Sequence, residues 1–412
     1  MCLKEIGIAN TYLHEIPVPY ETAFTEFILF LVDQGYSQAS VASKATVIAK
    51  FGCWLSSKQL SLSNFNENAI TVFFKEFPRA GYVRRGDLSC LHQLLNYLRE
   101  TGITGYPEPK IVLSEIDRIE NDFSQHLKKE RGLSQVTIDH YLPAVRNFLC
   151  ERFGCCNIVL DEIKPCDVSK FILNHVKKQA KKSCQTMTTA LRVFFRFLKY
   201  RGDITSNLDG CVPPVANWQL SELPKSLASE KIEYMLQQCD QSTAIGQRDY
   251  AILLLLTRLG LRTGEIVSMT LDDFNWDNGV LTIKGKGNCY DKLPIPQDVG
   301  EAISTYLITN RPVCSTRKLF IRSRAPYRGF FGSAAICDIV RRALKRAGLN
   351  PLNKGAYLLR HSLACSMLEQ GISLSQIGEI LRHNRLETTE IYAKVNFAAL
   401  SSLAQPWPGG TL

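Results

Sequence analysis

The fold is decided by residues 356–395, AYLLRHSLACSMLEQGISLSQIGEILRHNRLETTEIYAKV. This stretch contains an adjacent Arg360 and His361, a second imidazole at His383 and a tyrosine at Tyr392. The apolar residues between them recur at helical spacing, which predicts that the polar groups lie on short packed helices. A guanidinium, an imidazole and a phenol that converge at helix ends can hold a phosphate while the phenolate attacks it.

The same stretch resembles the catalytic half of the tyrosine recombinases, the phage-integrase and Xer-like family. The family pattern is His-x-x-Arg-His, then Leu-Gly-His, then a tyrosine after Thr-Thr-x-Ile. Here the three motifs read YLLRH at 357–361, LRH at 381–383 and TTEIY at 388–392. The chain departs from the pattern at two positions, since Tyr357 replaces the usual histidine and Arg382 replaces the usual glycine.

A second arginine motif precedes this stretch. The sequence GLRTGE at 260–265 matches the family motif Gly-Leu-Arg-x-x-Glu. The resemblance implies that Arg262 and Arg360 bind the phosphate and that Glu265 holds neighbouring polar groups in place. Alternating apolar residues after Asn278-Gly279 predict a strand and a hairpin. The resemblance implies a small antiparallel sheet, with Lys286 presented at the hairpin tip between two glycines.

The family mechanism implies a role for each of these residues. Tyr392 is the expected nucleophile, and Lys286 the expected general acid on the departing 5′-oxygen. His361 and His383 are expected to steady the phosphate and assist proton transfer. Tyr357 is expected to act as a hydrogen-bond donor in place of the family's histidine. The 3′-phosphotyrosine keeps the energy of the broken bond, so no cofactor, metal or ATP is expected.

Composition bounds the partner and the compartment. The net charge is +10, and residues 112–214 carry 16 basic against 12 acidic groups, whereas residues 1–111 carry 10 of each. This excess favours an anionic partner, which we expect to be double-stranded DNA with specific recombination sites.

No apolar run reaches the ~18 residues of a membrane span. We therefore expect a cytoplasmic protein without a membrane partner. The fourteen cysteines include no C-x-x-C pair, and Cys239, Cys337 and Cys365 are expected to be buried apolar residues.

Residues 20–104 and 117–204 are expected to be two copies of one helical unit. GYSQAS at 35–40 matches GLSQVT at 132–137, and glycine ends the last helix of both copies. We predict a mainly α-helical protein with a small antiparallel β-sheet in the C-terminal catalytic domain. The predicted domains are an N-terminal helical domain, a core-binding helical domain resembling a DNA clamp, a linker and a catalytic domain with a tail helix: 1–111, 112–210, 211–228 and 229–412.

Basic clusters in the second copy are candidate phosphate contacts or, alternatively, solvated helix faces. In the family, the tail helix docks on a neighbouring subunit, which implies a homo- or hetero-tetramer in the synaptic complex, with other recombinase subunits as further partners. The alternative is that the tail helix folds back on its own domain. The favoured function is a site-specific recombinase of the integrase or transposase type, serving a mobile element. The alternatives are a cleavage-impaired DNA-binding accessory subunit and a type IB topoisomerase-like enzyme. The candidate DNA-binding residues are Lys128, Lys129, Arg131, Lys177, Lys178, Lys181 and Lys182.

Overall fold

A computed structural model of the chain has mainly α-helices and one three-stranded antiparallel sheet, which confirms the predicted fold class. By their contacts the residues form two compact units, Met1–Tyr106 with Glu222–Leu412 and Pro107–Ser221. Within the described ranges, no helix combines the length and apolarity needed to cross a bilayer. The structure describes residues 16–76, 85–106, 114–154, 157–215, 225–285, 290–383 and 388–395.

Four helices form the N-terminal part of the first unit around a core rich in phenylalanine. Ser37 caps the second helix by accepting a hydrogen bond from the backbone N–H of Ser40. Phe24, Phe27 and Phe51 are fully buried, and they hold the helices together through the apolar area that they remove from water. The helices are α1 (Val18–Asp33), α2 (Gln38–Ser57), α3 (Glu67–Glu76) and α4 (Arg85–Glu100).

The second unit repeats this order of elements. A capping box between Ser114 and Asp117 starts its first helix, and Ser134 caps its second helix as Ser37 caps α2. A short 3₁₀ helix precedes the third helix here, at Leu160–Glu162, as another does in the first unit, at Leu62–Asn64. The two sets of four helices thus share one order, and the duplication stays a prediction. The helices are α5 (Glu115–Lys129), α6 (Gln135–Phe153), α7 (Pro165–Val176) and α8 (Lys181–Arg201).

The predicted linker, 211–228, is packed at both described ends. Val212 is buried in the core of the second unit, and its carbonyl oxygen accepts a hydrogen bond from Arg192 Nε at 3.3 Å. The backbone N–H of Leu227 donates to Ser362 Oγ at 2.8 Å, within the catalytic region. Residues 216–224, which make up half of the predicted linker, lie outside the described part.

The C-terminal region surrounds a buried helix. All residues of Ala251–Leu256 are almost fully buried, which explains why this segment is apolar on every face. Cys239 and Cys365 are buried as predicted, whereas Cys337 is only half-buried. The helices are α9 (Ser229–Gln237), α10 (Ala244–Arg258), α11 (Thr263–Ser268), α12 (Gln297–Thr305), α13 (Ser333–Arg346), α14 (Tyr357–Glu369) and α15 (Leu374–Ile380).

The sheet follows the predicted hairpin. Strand β1 (Phe274–Asn275) pairs with β2 (Val280–Lys284), which pairs with β3 (Tyr290–Pro294), all antiparallel. The register places Lys284 opposite Tyr290 at the end nearest the hairpin tip and Ile283 opposite Asp291 next to that pair. After the sheet, the helix Gln297–Thr305 continues directly as a π-helical turn at Tyr306–Asn310.

The N-terminal helices contact the catalytic region directly. The backbone N–H of Tyr327 donates to the carbonyl oxygen of Gln34 at 3.0 Å. Gly35 has φ +80°, and a Cβ at this position would lie 2.1 Å from the Tyr327 ring. The contact therefore requires glycine both for the left-handed backbone and for the close approach of the ring.

Candidate active site

Arg360 lies at the centre of the site, one turn into α14. It is 2 % exposed, and its two terminal nitrogens donate to the carbonyl oxygens of Gly260 and Leu381. Burial, followed by the positive charges of Arg262 and Arg382, lowers the pKa of Arg360 to about 10. The guanidinium therefore remains charged at neutral pH, and two backbone carbonyls fix its orientation.

Gly260 is required for this arrangement. Its φ is +57°, and a Cβ would lie 2.8 Å from a methyl carbon of Leu381. Only glycine allows the chain to turn here while its carbonyl oxygen faces Arg360. Both packing and backbone conformation therefore explain why the first residue of the GLRTGE motif is glycine.

Arg262 and Glu265 form a tight unit at the start of α11. The backbone N–H of Arg262 donates to Glu265 Oε2 at 2.8 Å, and Arg262 Nη1 donates to Glu265 Oε1 at 2.9 Å. Arg262 Nη2 donates to the carbonyl oxygen of Arg382 at 2.8 Å. The Arg262 side chain is 40 % exposed, so part of it stays open to a ligand. Glu265 thus holds a neighbouring polar group, in the way that the sequence predicts.

The turn at 381–383 contacts both Arg262 and Arg360 through its backbone carbonyl oxygens. Its backbone ends α15 with a Schellman motif, in which Arg382 N donates to Glu379 O at 2.9 Å and His383 N donates to Gly378 O at 2.8 Å. Arg382 has φ +56°, the left-handed conformation. A side chain in that conformation costs about 1–2 kcal/mol. The glycine of the family pattern therefore has a backbone explanation, and the arginine in this chain needs a compensating interaction.

The compensating interactions come from the Arg382 side chain, which is 7 % exposed. Its Nη2 donates to Glu265 Oε2 at 2.9 Å, and its Nε lies 3.9 Å from Asp291 Oδ2 on β3. Burial lowers the pKa of Arg382, and Glu265 opposes that shift. Arg382 is consequently an integral part of the site, where sequence reasoning had only noted it as a departure.

Tyr392 is buried beside His361. The phenol side chain is fully buried, and its ring centroid lies 5.4 Å from that of His361. Tyr357 is half-exposed and packs edge-on against the other side of His361, with a centroid distance of 4.1 Å. Burial and the neighbouring Tyr357 raise the pKa of Tyr392 above its ordinary value, although Arg360 opposes the shift. The phenol is therefore protonated and needs a proton acceptor before it can attack.

Both histidines of the site are neutral at pH 7. Burial, followed by the charge of Arg360, lowers the pKa of His361 and of His383 to about 4. His383 Nδ1 lies 2.8 Å from the hydroxyl of Thr389, which is 2 % exposed. A neutral imidazole has one nitrogen that donates and one that accepts, so it can receive a proton. Thr389 was missed as a supporting residue, although the TTEIY motif contains it.

The structure brings together Arg262, Glu265, Arg360, His361, His383 and Tyr392, with Tyr357 at the edge. Lys286 lies outside the described residues, although β2 and β3 on either side of it are placed. Most of the predicted tail helix, 393–405, also lies outside them. The seven candidate DNA-binding residues of the second unit are all exposed. They have no place in this cluster, and their role in DNA binding stays a prediction.

Comparison with known proteins agrees with this geometry. A family model described as "Phage integrase family" matches residues 225–399, and one described as "Phage integrase, N-terminal SAM-like domain" matches residues 121–202. A putative integrase/recombinase of Sinorhizobium fredii, y4rA, is 41% identical over 385 residues, which are 93% of this chain and 93% of that protein. The chain belongs to the phage integrase family of tyrosine recombinases.

Two further likenesses extend over most of this recombinase. Tyrosine recombinase XerC of Natranaerobius thermophilus is 30% identical over 290 residues, 68% of this chain and 95% of XerC. The crystal structure of the XerH site-specific recombinase bound to palindromic difH substrate, a post-cleavage complex, has the same fold. It matches with a TM-score of 0.57 and 20% identity, over 89% of this chain and 97% of that chain. The predicted family and enzyme class, a tyrosine-type site-specific DNA recombinase, are confirmed.

Proposed function

We propose that this recombinase cleaves and rejoins double-stranded DNA at specific sites through a 3′-phosphotyrosine on Tyr392. The observation that carries the proposal is the position of the turn at 381–383 between the two arginines. The carbonyl oxygens of this turn accept hydrogen bonds from both Arg262 and Arg360 and so orient the two guanidiniums. Tyr392 lies close enough to Arg360 for that charge to oppose the rise that burial causes in the pKa of its phenol. Two fixed guanidiniums beside a tyrosine suit attack on a phosphodiester.

The reaction proceeds by one displacement in each direction. Arg262 and Arg360 donate hydrogen bonds to the non-bridging oxygens, where negative charge grows in the transition state. Preorganised donors of this kind supply about 3 kcal/mol each. The Tyr392 oxygen bonds to phosphorus while the bond to the 5′-oxygen breaks. A neutral His361 or His383 accepts the phenol proton, and Lys286 gives a proton to the departing 5′-oxygen. Rejoining reverses these steps.

The burial of Tyr392 adds a conformational requirement. A fully buried phenol cannot reach a phosphate held by Arg262, whose guanidinium faces solvent in part. The short 3₁₀ helix Glu390–Val395 must therefore shift to expose the Tyr392 oxygen before cleavage. We propose that binding to the DNA site favours this shift, because the incoming phosphate attracts Arg360, the arginine whose charge acts on the buried phenol.

The DNA partner and the assembly are proposals of the same kind. The basic excess of residues 112–214 and the exposed lysines of the second unit support phosphate contacts around the duplex. Strand exchange needs two cleaved sites, which supports a homo- or hetero-tetramer with other recombinase subunits. The relatives named integrase/recombinase support a mobile element as the context. Residues 1–111 carry no net charge and none of the catalytic motifs, which supports a role for them in assembly and not in cleavage.

Covalent trapping tests the proposal. The purified chain is incubated with nicked duplexes taken from the junctions of its own DNA element, and protein–DNA adducts are resolved on denaturing gels. Wild type should form an adduct, and Tyr392→Phe should form none while binding the same duplex with unchanged affinity. A wild-type protein that binds the duplex specifically but never forms an adduct would support the accessory-subunit alternative. An adduct with Tyr392→Phe would show that another tyrosine, such as Tyr290 or Tyr357, is the nucleophile.

A further inference from the structure

The carboxylate of Glu265 is shared between two arginines. Glu265 Oε1 accepts from Arg262 Nη1, whereas Glu265 Oε2 accepts from the Arg262 backbone at 2.8 Å and from Arg382 Nη2 at 2.9 Å. The Glu265 side chain is 5 % exposed, so solvent screens these interactions little. Arg262 and Arg382 therefore share one buried carboxylate, which also acts electrostatically on Arg360, so the positive charge is in excess.

Arg382 has hydrogen-bonding capacity beyond this pair. Its Nε and Nη1 are buried and have no hydrogen-bond partner within the part of the chain that the structure describes. Arg382 Nε lies 3.9 Å from Asp291 Oδ2 on β3, which is too far for a hydrogen bond. Buried donors are usually satisfied, so an arginine held in this way indicates a functional constraint.

The backbone of Arg382 supports the same conclusion. The described residues include two non-glycine positions with positive φ, Gln59 at +54° and Arg382 at +56°. Both are the left-handed residue of a Schellman motif at the end of a helix. Gln59 is exposed, whereas Arg382 is buried against Glu265. An arginine that occupies a glycine-favouring turn and is buried there has a role that its side chain supplies.

We propose that Arg382 is a positioning residue that shares the charge of Glu265 and so keeps the Arg262 guanidinium available to the scissile phosphate. This inference rests on the proposed phosphate-binding role of Arg262. Without Arg382, the full charge of the carboxylate faces Arg262. Arg262 then pairs more closely with Glu265, and its attraction for the phosphate decreases. The departure from the family glycine is thereby an adaptation of the site and not a sign of lost activity.

The test measures single-turnover adduct formation at saturating nicked duplex, with the duplex on which wild type reacts. Arg382→Gly should cleave at least about tenfold more slowly than wild type, because transition-state stabilisation by Arg262 weakens. Its affinity for the duplex should change less than about threefold, since other phosphate contacts persist. Gln59→Gly is the matched control, because it relieves the same backbone conformation away from the site. It should cleave at the wild-type rate.

Two further variants separate charge from folding. Arg382→Lys and Arg382→Gln keep the same backbone strain and differ in charge, so the lysine variant should cleave at least about threefold faster than the glutamine variant. In a Glu265→Gln background, Arg382→Gly should cost less than about threefold, since the charge that Arg382 shares is gone. This coupling is expected of a residue that acts through Glu265 and not of one that only stabilises the fold.

The possible results distinguish a failure of the proposed function from a failure of the inference about Arg382. If wild type forms no adduct, or if Tyr392→Phe does, the proposed function fails. If the wild-type adduct depends on Tyr392 but Arg382→Gly and Arg382→Gln cleave within about threefold of wild type, only the inference about Arg382 fails. Equal costs of Arg382→Gly with and without Glu265→Gln would also overturn it, because Arg382 would then act independently of Glu265.

Discussion

Cationic side chains occur in two very different settings in this recombinase. In the catalytic region, Arg360 is 2 % exposed and Arg262 is held by a buried carboxylate and a backbone carbonyl. In the second helical unit, the candidate phosphate-binding lysines, such as Lys177 and Lys178, are exposed at helix ends. The two groups carry the same charge but differ in how firmly the fold holds them.

This difference separates the cations that we expect to set the cleavage rate from those that we expect to set the affinity for DNA. A guanidinium whose position is set before the substrate arrives needs no reorganisation when charge develops on the phosphate, so it can accelerate cleavage. An exposed lysine is screened by salt and is free to rotate, so it contributes to binding by releasing counterions. We therefore expect substitutions in the first group to change rates and those in the second group to change affinity.

The largest expected effect comes from the buried group. Arg262→Lys and Arg360→Lys should each slow adduct formation at least about 100-fold, because lysine lacks the paired donors of arginine. DNA affinity should fall much less. Arg317→Lys is a suitable control, since Arg317 is an exposed arginine of the same region, paired with Asp272. Wild-type cleavage by both site variants would contradict the difference between the two groups.

The exposed group should show the opposite pattern. Lys177→Gln with Lys178→Gln should weaken DNA binding about tenfold at physiological salt and reduce the slope of log affinity against log salt by about 2. The cleavage rate at saturating DNA should be unchanged. Lys50→Gln with Lys75→Gln removes two exposed charges from the N-terminal helices, and binding to a short core site should not change. Equal losses in both pairs would mean that the second unit has no special role.

Tyr357 lies between these settings, half-exposed but packed against His361. If its hydroxyl donates to the phosphate, Tyr357→Phe should slow cleavage about fivefold, and Tyr357→His should keep most of the activity. Single-turnover rates on the same nicked duplex measure both. Equal rates for wild type and the phenylalanine variant would assign the hydroxyl no role.

The smallest effect concerns stability and pH. The pKa of His383 is about 4 in the folded protein and 6.5 when unperturbed. Between these values the unfolded chain binds the additional proton, so stability should decrease as pH falls from 6.5 towards 4. His383→Gln should reduce the loss in unfolding free energy between pH 7 and pH 5 by about 1 kcal/mol. Urea unfolding at the two pH values measures it, and an unchanged pH dependence would mean that His383 is not protonated on unfolding in this range.

The sequence allowed the site to be assembled from its side chains. Arg262, Glu265, Arg360 and Tyr392 stand in motifs that match the family pattern, so the resemblance to the family implied that they lie together. The partners that orient them could not be predicted, because the carbonyl oxygens of Gly260 and Leu381 have no signature in the sequence. Their positions depend on how distant turns pack.

Arg382 is a second case in which the sequence did not reveal how a site residue is held. Its departure from the family pattern was visible, but its left-handed backbone and its pairing with Glu265 depend on contacts far along the chain. The fold class and the hairpin followed from periodicity and turn residues. The contact of Gln34 with Tyr327 did not, since it joins backbone groups of distant segments. The domain boundaries at 111, 210 and 228 stay predictions.

The most direct test of the central claim identifies the residue that carries DNA. An adduct trapped on the nicked duplex is digested with nuclease and protease, and the peptide that retains a nucleotide is sequenced by mass spectrometry. The proposed function predicts a single modified peptide, with the nucleotide joined through its 3′-phosphate to Tyr392. A nucleotide on Tyr357, Tyr290 or any other residue, or one joined through its 5′-phosphate, would contradict it.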